Sequence, residues 1–154
     1  MFTTCSTNPF ETNKSTCQAA LVSGRFKTDL LSRHWVKDNP DGLCVLCPGL
    51  NIPGSLEHFM VTCSTLMPVR ITILNYWYSY SEEDDILRKL LITKLRSPMQ
   101  TLLQFLIDPS VDSDVIWGVQ KKLINLEEIF KLTRSWCYSL NRKKLQITGK
   151  FRKI

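Results

Sequence analysis

The sequence is most informative first in what it lacks. No apolar run approaches the roughly 20 residues that a membrane-spanning helix needs; the chain offers only short runs such as Leu90-Leu91-Ile92. The opening Met1-Phe2-Thr3-Thr4-Cys5 shows no charged stretch followed by an apolar one, so no secretory leader is expected and an intracellular protein, nuclear or cytoplasmic, is. Six glycines in 154 residues exclude a collagen-like or low-complexity chain. Strand-like alternation never persists beyond a few residues, which excludes a sheet as the main scaffold. Acid is missing from one whole region. From Lys131 to Ile154 there are eight Lys and Arg and no Asp or Glu. The whole chain carries +6, so the remainder sums to 6 − 8 = −2.

What is present reads as helical. Residues 1–14 are polar and without period, so they are expected to be flexible. A first helix is expected from Ser15 or Thr16, interrupted at Gly24, and a second from Phe26 through Trp35, ended by Asn39-Pro40-Asp41-Gly42. Residues 43–65 are broken by Pro48, Gly49, Pro53 and Gly54, with Ser55 placed to cap a short helix through Leu56, His58, Phe59 and Val61. Pro68 suits the first turn of the next helix, whose expected inner face is Ile71, Leu74, Trp77 and Tyr78. Ser81-Glu82-Glu83-Asp84 reads as a capping box, followed by Leu87, Leu90, Leu91 and Leu95. Ser97-Pro98 starts a further helix, with Leu102, Leu103, Phe105 and Leu106, that closes at Asp108-Pro109. Finally Ile116, Val119, Leu123, Leu126, Phe130, Thr133, Cys137 and Leu140 alternate spacings of three and four, predicting one long amphipathic helix. Ile124, Ile129, Leu132 and Trp136 widen that stripe beyond a coiled-coil seam. The fold class is therefore mainly α: a small helical bundle with an embedded Cys3His zinc knuckle. Its expected divisions are a flexible 1–14, a helical segment 15–80 holding the knuckle (44–63), a helical bundle 81–140 and a basic tail 141–154.

The knuckle rests on spacing. Cys44, Cys47, His58 and Cys63 form C-x2-C-x10-H-x4-C. Two cysteines two residues apart can grip one ion from a tight turn, which Pro48-Gly49 supplies. On a regular helix His58 and Cys63 would stand about 140° apart, so Cys63 is expected at or beyond the helix end. Three thiolates and one imidazole complete a tetrahedron for Zn2+ with no open position, the mark of a structural site. A thioredoxin-like redox role for Cys44 and Cys47 would need a βαβ surrounding that the sequence lacks. Cys17 or Cys137 with His34 could pair as nucleophile and base, but nothing arranges an oxyanion site around them. Asp84-Asp85 lacks the preceding Tyr and flanking strands of a polymerase metal site and reads as a solvated helix start.

Leu21-Val22-Ser23-Gly24-Arg25-Phe26-Lys27-Thr28-Asp29, then Arg33-His34-Trp35, the C-x2-C, Leu56-Glu57-His58-Phe59 and Cys63 resemble the region after the polymerase domain of non-LTR (LINE-type) retrotransposon reverse transcriptases. The resemblance covers roughly residues 20–70. It implies that Cys44, Cys47, His58 and Cys63 are zinc ligands and that Arg25 and Lys27 contact nucleic acid. The polymerase and endonuclease motifs themselves are absent, so a non-enzymatic, detached piece of such a protein is expected. The acid-free C-terminal stretch adds Arg142, Lys143, Lys144, Lys150, Arg152 and Lys153 as phosphate contacts to RNA or DNA. The alternative is a protein-interaction module, with the wide stripe from Ile116 to Leu140 docking a partner helix.

Overall fold

The computed structural model describes residues 9–33 and 37–149. The expectations placed on residues 1–8, on His34 and Trp35, and on Lys150, Arg152 and Lys153 lie outside them. Six α-helices follow in order: α1 (Pro9–Val22), α2 (Met67–Tyr80), α3 (Asp85–Leu95), α4 (Met99–Ile107), α5 (Ser113–Gln120) and α6 (Leu126–Ile147). The described residues contain no strand, only one isolated antiparallel bridge between Leu43 and Pro53.

α6 is the axis of the bundle. At 22 residues it is about 33 Å long, and it packs against α1, α2 and α4. The blocks 15–80 and 81–140 therefore share one core, with Leu21, Ile73 and Trp77 from the first beside Leu103, Phe105, Leu106, Leu132 and Trp136 from the second. The Trp77 and Trp136 rings lie 5.2 Å apart at 46°, a tilted aromatic pair. Trp77 Nε1 donates to the Leu132 carbonyl at 3.3 Å. Burying two indoles is affordable only because each N–H finds a carbonyl.

Several expectations need correction. α1 starts at Pro9, not Ser15, because a proline suits a first helical turn whose N–H has no partner anyway. Gly24, at φ +73°, closes it: Arg25 N–H bonds the Ala20 carbonyl (2.9 Å) and Gly24 N–H that of Leu21 (3.2 Å). Among the described residues, the segment expected to be helical from Phe26 runs as coil and turns. The Leu30 N–H, which a helix would give to Phe26, goes instead to the Gly54 carbonyl at 3.0 Å. On α2, Trp77 is buried with Ile73 and Arg70, whereas Ile71 and Tyr78 (63% exposed) face outward. The expected core role of Tyr78 fails; Arg88 stacks 4.2 Å over its ring instead. Ser81 belongs to the end of α2, its hydroxyl donating to the Trp77 carbonyl (2.8 Å), and Asp84 is the cap of α3, accepting from Leu87 N–H (3.0 Å).

The single long C-terminal helix is two. α5 ends in a six-to-one, five-to-two hydrogen-bond pair: Leu123 N–H to Gly118 and Lys122 N–H to Val119. Lys122 holds φ +60°, a place usually left to glycine, and Asn125 then caps α6 through Glu127 N–H (2.9 Å). Ile116, Val119 and Leu123 are consequently exposed, while Phe130, Thr133, Cys137 and Leu140 are buried as expected. Nor is 141–154 a tail throughout, since α6 continues to Ile147. A feature the sequence did not announce ties α3 to α5. Lys94 Nζ lies 2.7 Å from both Asp112 and Asp114, with Lys94 and Asp112 side chains 3% and 4% exposed. Asp112 also caps α5 by accepting from Asp114 and Val115 N–H.

Candidate metal centre

The knuckle loop doubles back on itself. Cys47 N–H bonds the Cys44 carbonyl (3.2 Å), closing the turn that aims both thiols inward. Gly49 (φ +80°) and Asn51 (φ +53°) reverse the chain, and Cys44 N–H then meets the Ile52 carbonyl at 2.7 Å. The second pair comes from a short helix entered through Ser55, whose hydroxyl accepts from His58 N–H (3.2 Å), as the sequence predicts. Residues His58–Thr62 form a π-helical turn, and Cys63 N–H bonds back to the His58 carbonyl at 2.7 Å. This wider turn, with extended backbone at Cys63, is what puts Cys63 beside His58 rather than across the helix from it.

The four ligand atoms lie within 4.8 Å of one another, and all four residues are buried. Cys47 and Cys63 sulfurs are 3.7 Å apart, Cys44 and Cys63 sulfurs 4.0 Å, and Cys47 Sγ is 3.5 Å from His58 Nε2. A tetrahedral ion with metal–sulfur bonds of about 2.3 Å and a metal–nitrogen bond of about 2.05 Å has edges of roughly 3.8 Å and 3.6 Å. The donor set therefore fits such an ion. His58 Nδ1 lies 3.0 Å from Thr62 Oγ1; with Nε2 as ligand, Nδ1 carries the proton and donates it there.

The electrostatics favour the ligating form at His58 and Cys47 and oppose it at Cys44. Burial, then the Arg70 charge, hold the His58 imidazole below its ordinary pKa, keeping it in the neutral form that ligates. Burial and the neighbouring Cys63 and Cys47 push the Cys44 thiol up to about 12. Burial also raises Cys47, but hydrogen bonds from Cys63, Cys44, Thr65 and Ser64 outweigh it and bring that thiol below its ordinary value. A bound cation would replace these protons. Three thiolates around a divalent ion leave a net charge of −1, and the buried Arg70 guanidinium stands next to it, donating to the Cys63 carbonyl. Its Nη1 is buried with no hydrogen-bond partner.

The centre is braced from outside. Thr65 Oγ1 donates to the Leu46 carbonyl (2.6 Å), and Trp136 Nε1 on α6 donates to the Met60 carbonyl (2.9 Å). Asp29 contributes most. One carboxylate oxygen accepts from Val45 N–H (3.1 Å) and the other from Lys144 Nζ (2.9 Å). A side chain at Gly54 would put its Cβ 2.4 Å from Asp29 Cβ, so glycine is required for this approach. Asp29 lies within the run that carries the family resemblance, which is the one sequence signal that could have singled it out.

The predicted nucleic-acid residues divide. Arg25, Lys27, Arg142 and Lys143 are exposed. Lys144 is half-buried in its ion pair and lies over the Phe59 ring, 5.7 Å from its centroid, so it is partly structural. Lys27 and Lys144, far apart in sequence, line one cleft of about 330 Å³ beside the knuckle, with Asp29, Asn39 and Asn141. No helix among the described residues is long and apolar enough to cross a membrane. No family model, curated protein or solved structure matches this chain.

Proposed function

We propose that the chain is a non-catalytic nucleic-acid-binding module organised by a Zn2+ ion that Cys44, Cys47, His58 and Cys63 hold. The observation that carries the reading is the convergence of Lys27 and Lys144 on one cleft against the metal centre. A Cys3His set fills a tetrahedral ion's coordination, leaving no position for water or substrate, so the metal's contribution is to fix the fold. It pins the 44–47 turn to the π-helical turn, and through them orients the Arg25–Asp29 segment towards the basic end of α6. Arg142 and Lys143 extend the positive surface along that helix. The resemblance of residues 20–70 to retroelement reverse transcriptase tails supports RNA or DNA as partner and an intracellular, nuclear or cytoplasmic setting.

A second reading has its own observation. Ile86, Trp117 (56% exposed) and Leu123 border an apolar cleft of about 360 Å³ between α3 and α5, a surface that suits a helical protein partner. Gel shifts with single-stranded RNA, single-stranded DNA and duplex separate the two. With about three to six phosphate contacts, the log–log salt slope should be roughly −3 to −5 on duplex and shallower on single strands. Replacing Arg142, Lys143 and Lys144 together by Gln should flatten it by up to about three units with the metal still bound. Unchanged affinity and slope in that variant would remove the basic end of α6 from the interface. No binding to any of the three probes would leave the protein-interaction reading.

A further inference from the structure

Two cysteines stand apart from the metal centre. Cys17 on α1 and Cys137 on α6 have their sulfurs 2.8 Å apart. That is closer than the 3.7 Å and 4.0 Å separations of Cys63 from Cys47 and Cys44, and about 0.75 Å longer than a disulfide bond. Neither belongs to the Cys44–Cys63 donor cluster.

The neighbouring residues hold the sulfurs in place. Gln18 Nε2 donates to Thr133 Oγ1 at 3.0 Å, and Arg134 Nε donates to Gln18 Oε1 at 3.3 Å. These buried bonds fix the register of α1 on α6 one residue from Cys17, so pairing the sulfurs needs only a small local shift. Exposure of the two differs. Cys17 is partly exposed, whereas Cys137 is 1% exposed. A small oxidant can therefore reach the first thiol but not the second.

We propose that Cys17 and Cys137 form a reversible disulfide, with peroxide as oxidant, that staples α1 to α6. Cys17, as thiolate, attacks one peroxide oxygen; the O–O bond breaks, and hydroxide leaves with the thiol's proton as water. The sulfur of Cys137 then attacks that of Cys17, the S–O bond of the sulfenic acid breaks, and the second hydroxide leaves with the Cys137 proton as water. Two thiols lose two electrons, one peroxide gains them, and an external thiol reverses the change. The link joins the N-terminal helix to the bundle axis across most of the chain, which places α1 under redox control.

The full-length, metal-loaded protein tests this with hydrogen peroxide as the probe. Trypsin separates Cys17, in the peptide Ser15–Arg25, from Cys137, in Ser135–Arg142, and neither peptide holds a metal ligand. Non-reducing mass spectrometry should show these two peptides joined, about 2 Da lighter than their sum, and separated again by a reductant. Hydrogen exchange in α1 should slow at least about tenfold, because opening the helix no longer frees it from α6. Cys17→Ser should abolish both effects while keeping the fold and the metal. The proposal is overturned if Cys17 is oxidised to sulfinic acid or remains alkylatable with no joined peptide, if Cys17 pairs elsewhere, or if the link forms without altering exchange in α1.

Discussion

Asp29 is the residue on which the knuckle and the basic helix end meet, and replacing it tests that connection. Asp29→Asn keeps an acceptor for Val45 N–H but removes the charge that pairs with Lys144. The two side chains are 15% and 16% exposed, sheltered but not dry, so losing the pair should cost about 0.5–1.5 kcal/mol. Asp29→Ala also removes the bond to Val45, and a hydrogen bond to a charged acceptor is worth about 1.5–3 kcal/mol. Val45 is itself exposed, so water can satisfy the freed amide and the lower half of that range applies. The total for alanine is about 2–4 kcal/mol. Urea unfolding of the metal-loaded protein should separate the three forms, at unchanged slope, in the order wild type, Asn, Ala.

The same substitutions should act in the opposite direction on binding. Each removes the carboxylate from a cleft that is otherwise basic and frees Lys144 from its partner. Duplex affinity should rise about two- to tenfold, and the salt slope should steepen by up to one unit. A cycle with Lys144→Met should give a coupling of about 1 kcal/mol in stability. The reasoning is refuted by an alanine variant within about 0.5 kcal/mol of wild type, or by a folded asparagine variant that binds more weakly.

Cys47→Ser and His58→Ala should each lower metal content and loosen residues 44–63 while α3–α5 keep their exchange protection. Metal uptake should also weaken steeply on acidification, because three thiol protons, Cys44's above all, must leave; isothermal titration at several pH values reads this. Asp112→Ala should cost about 2–3 kcal/mol, since it uncaps α5 and leaves Lys94 with Asp114 as its one remaining carboxylate of the pair; Lys94→Met should cost less, because Asp112 keeps both backbone bonds. Lys122→Gly should raise stability by about 1 kcal/mol by relieving the left-handed backbone, a thermal-melt increase of a few degrees.

Where secondary structure was legible, local chemistry decided it. Ser55, Pro68 and Asp108-Pro109 act at the positions where caps and prolines are expected to act. Where it was misread, a nonlocal contact or a competing local signal won. The heptad spacing from Ile116 to Leu140 is real, yet Asn125 followed by Leu126-Glu127-Glu128 is also a helix start, with acids in its first turn. Gly118 explains why the break falls before it: a Cβ there would sit 2.2 Å from Ile124 Cδ1, so the chain folds tightly over that glycine. The path after Phe26 has one local determinant, the Thr28 hydroxyl that accepts from Leu31 N–H at 3.2 Å and starts a turn there rather than at Phe26. Otherwise it depends on Gly54, which accepts from Leu30, and on Phe59, whose ring stacks 5.2 Å from that of Phe26.

The same distinction runs through the metal centre. The clustering of Cys44, Cys47, His58 and Cys63 was legible because a C-x2-C and an H-x4-C each close over a few residues, and the chain's own geometry limits how such pairs can point. What joins the two halves was not. Thr65 to Leu46, Trp136 to Met60, and Asp29 to both Val45 and Lys144 all span distant positions that no spacing rule connects. Those bonds mean that the knuckle is not a freestanding module hung on a helical protein. Two of them end on α6, one at Trp136 in the core and one at Lys144 near the helix end. Ordering the loop by a metal therefore also holds Lys144 in its ion pair with Asp29, in competition with phosphate. Metal and nucleic-acid binding should accordingly be coupled, with Asp29 opposing the coupling. Removing the metal should lower affinity by disordering the loop beside Lys27. In the wild type the loosened Asp29 also releases Lys144 and offsets part of that loss, so the loss should be larger in Asp29→Asn, where Lys144 is already released. Equal losses in the two proteins would show that the metal acts on the fold alone.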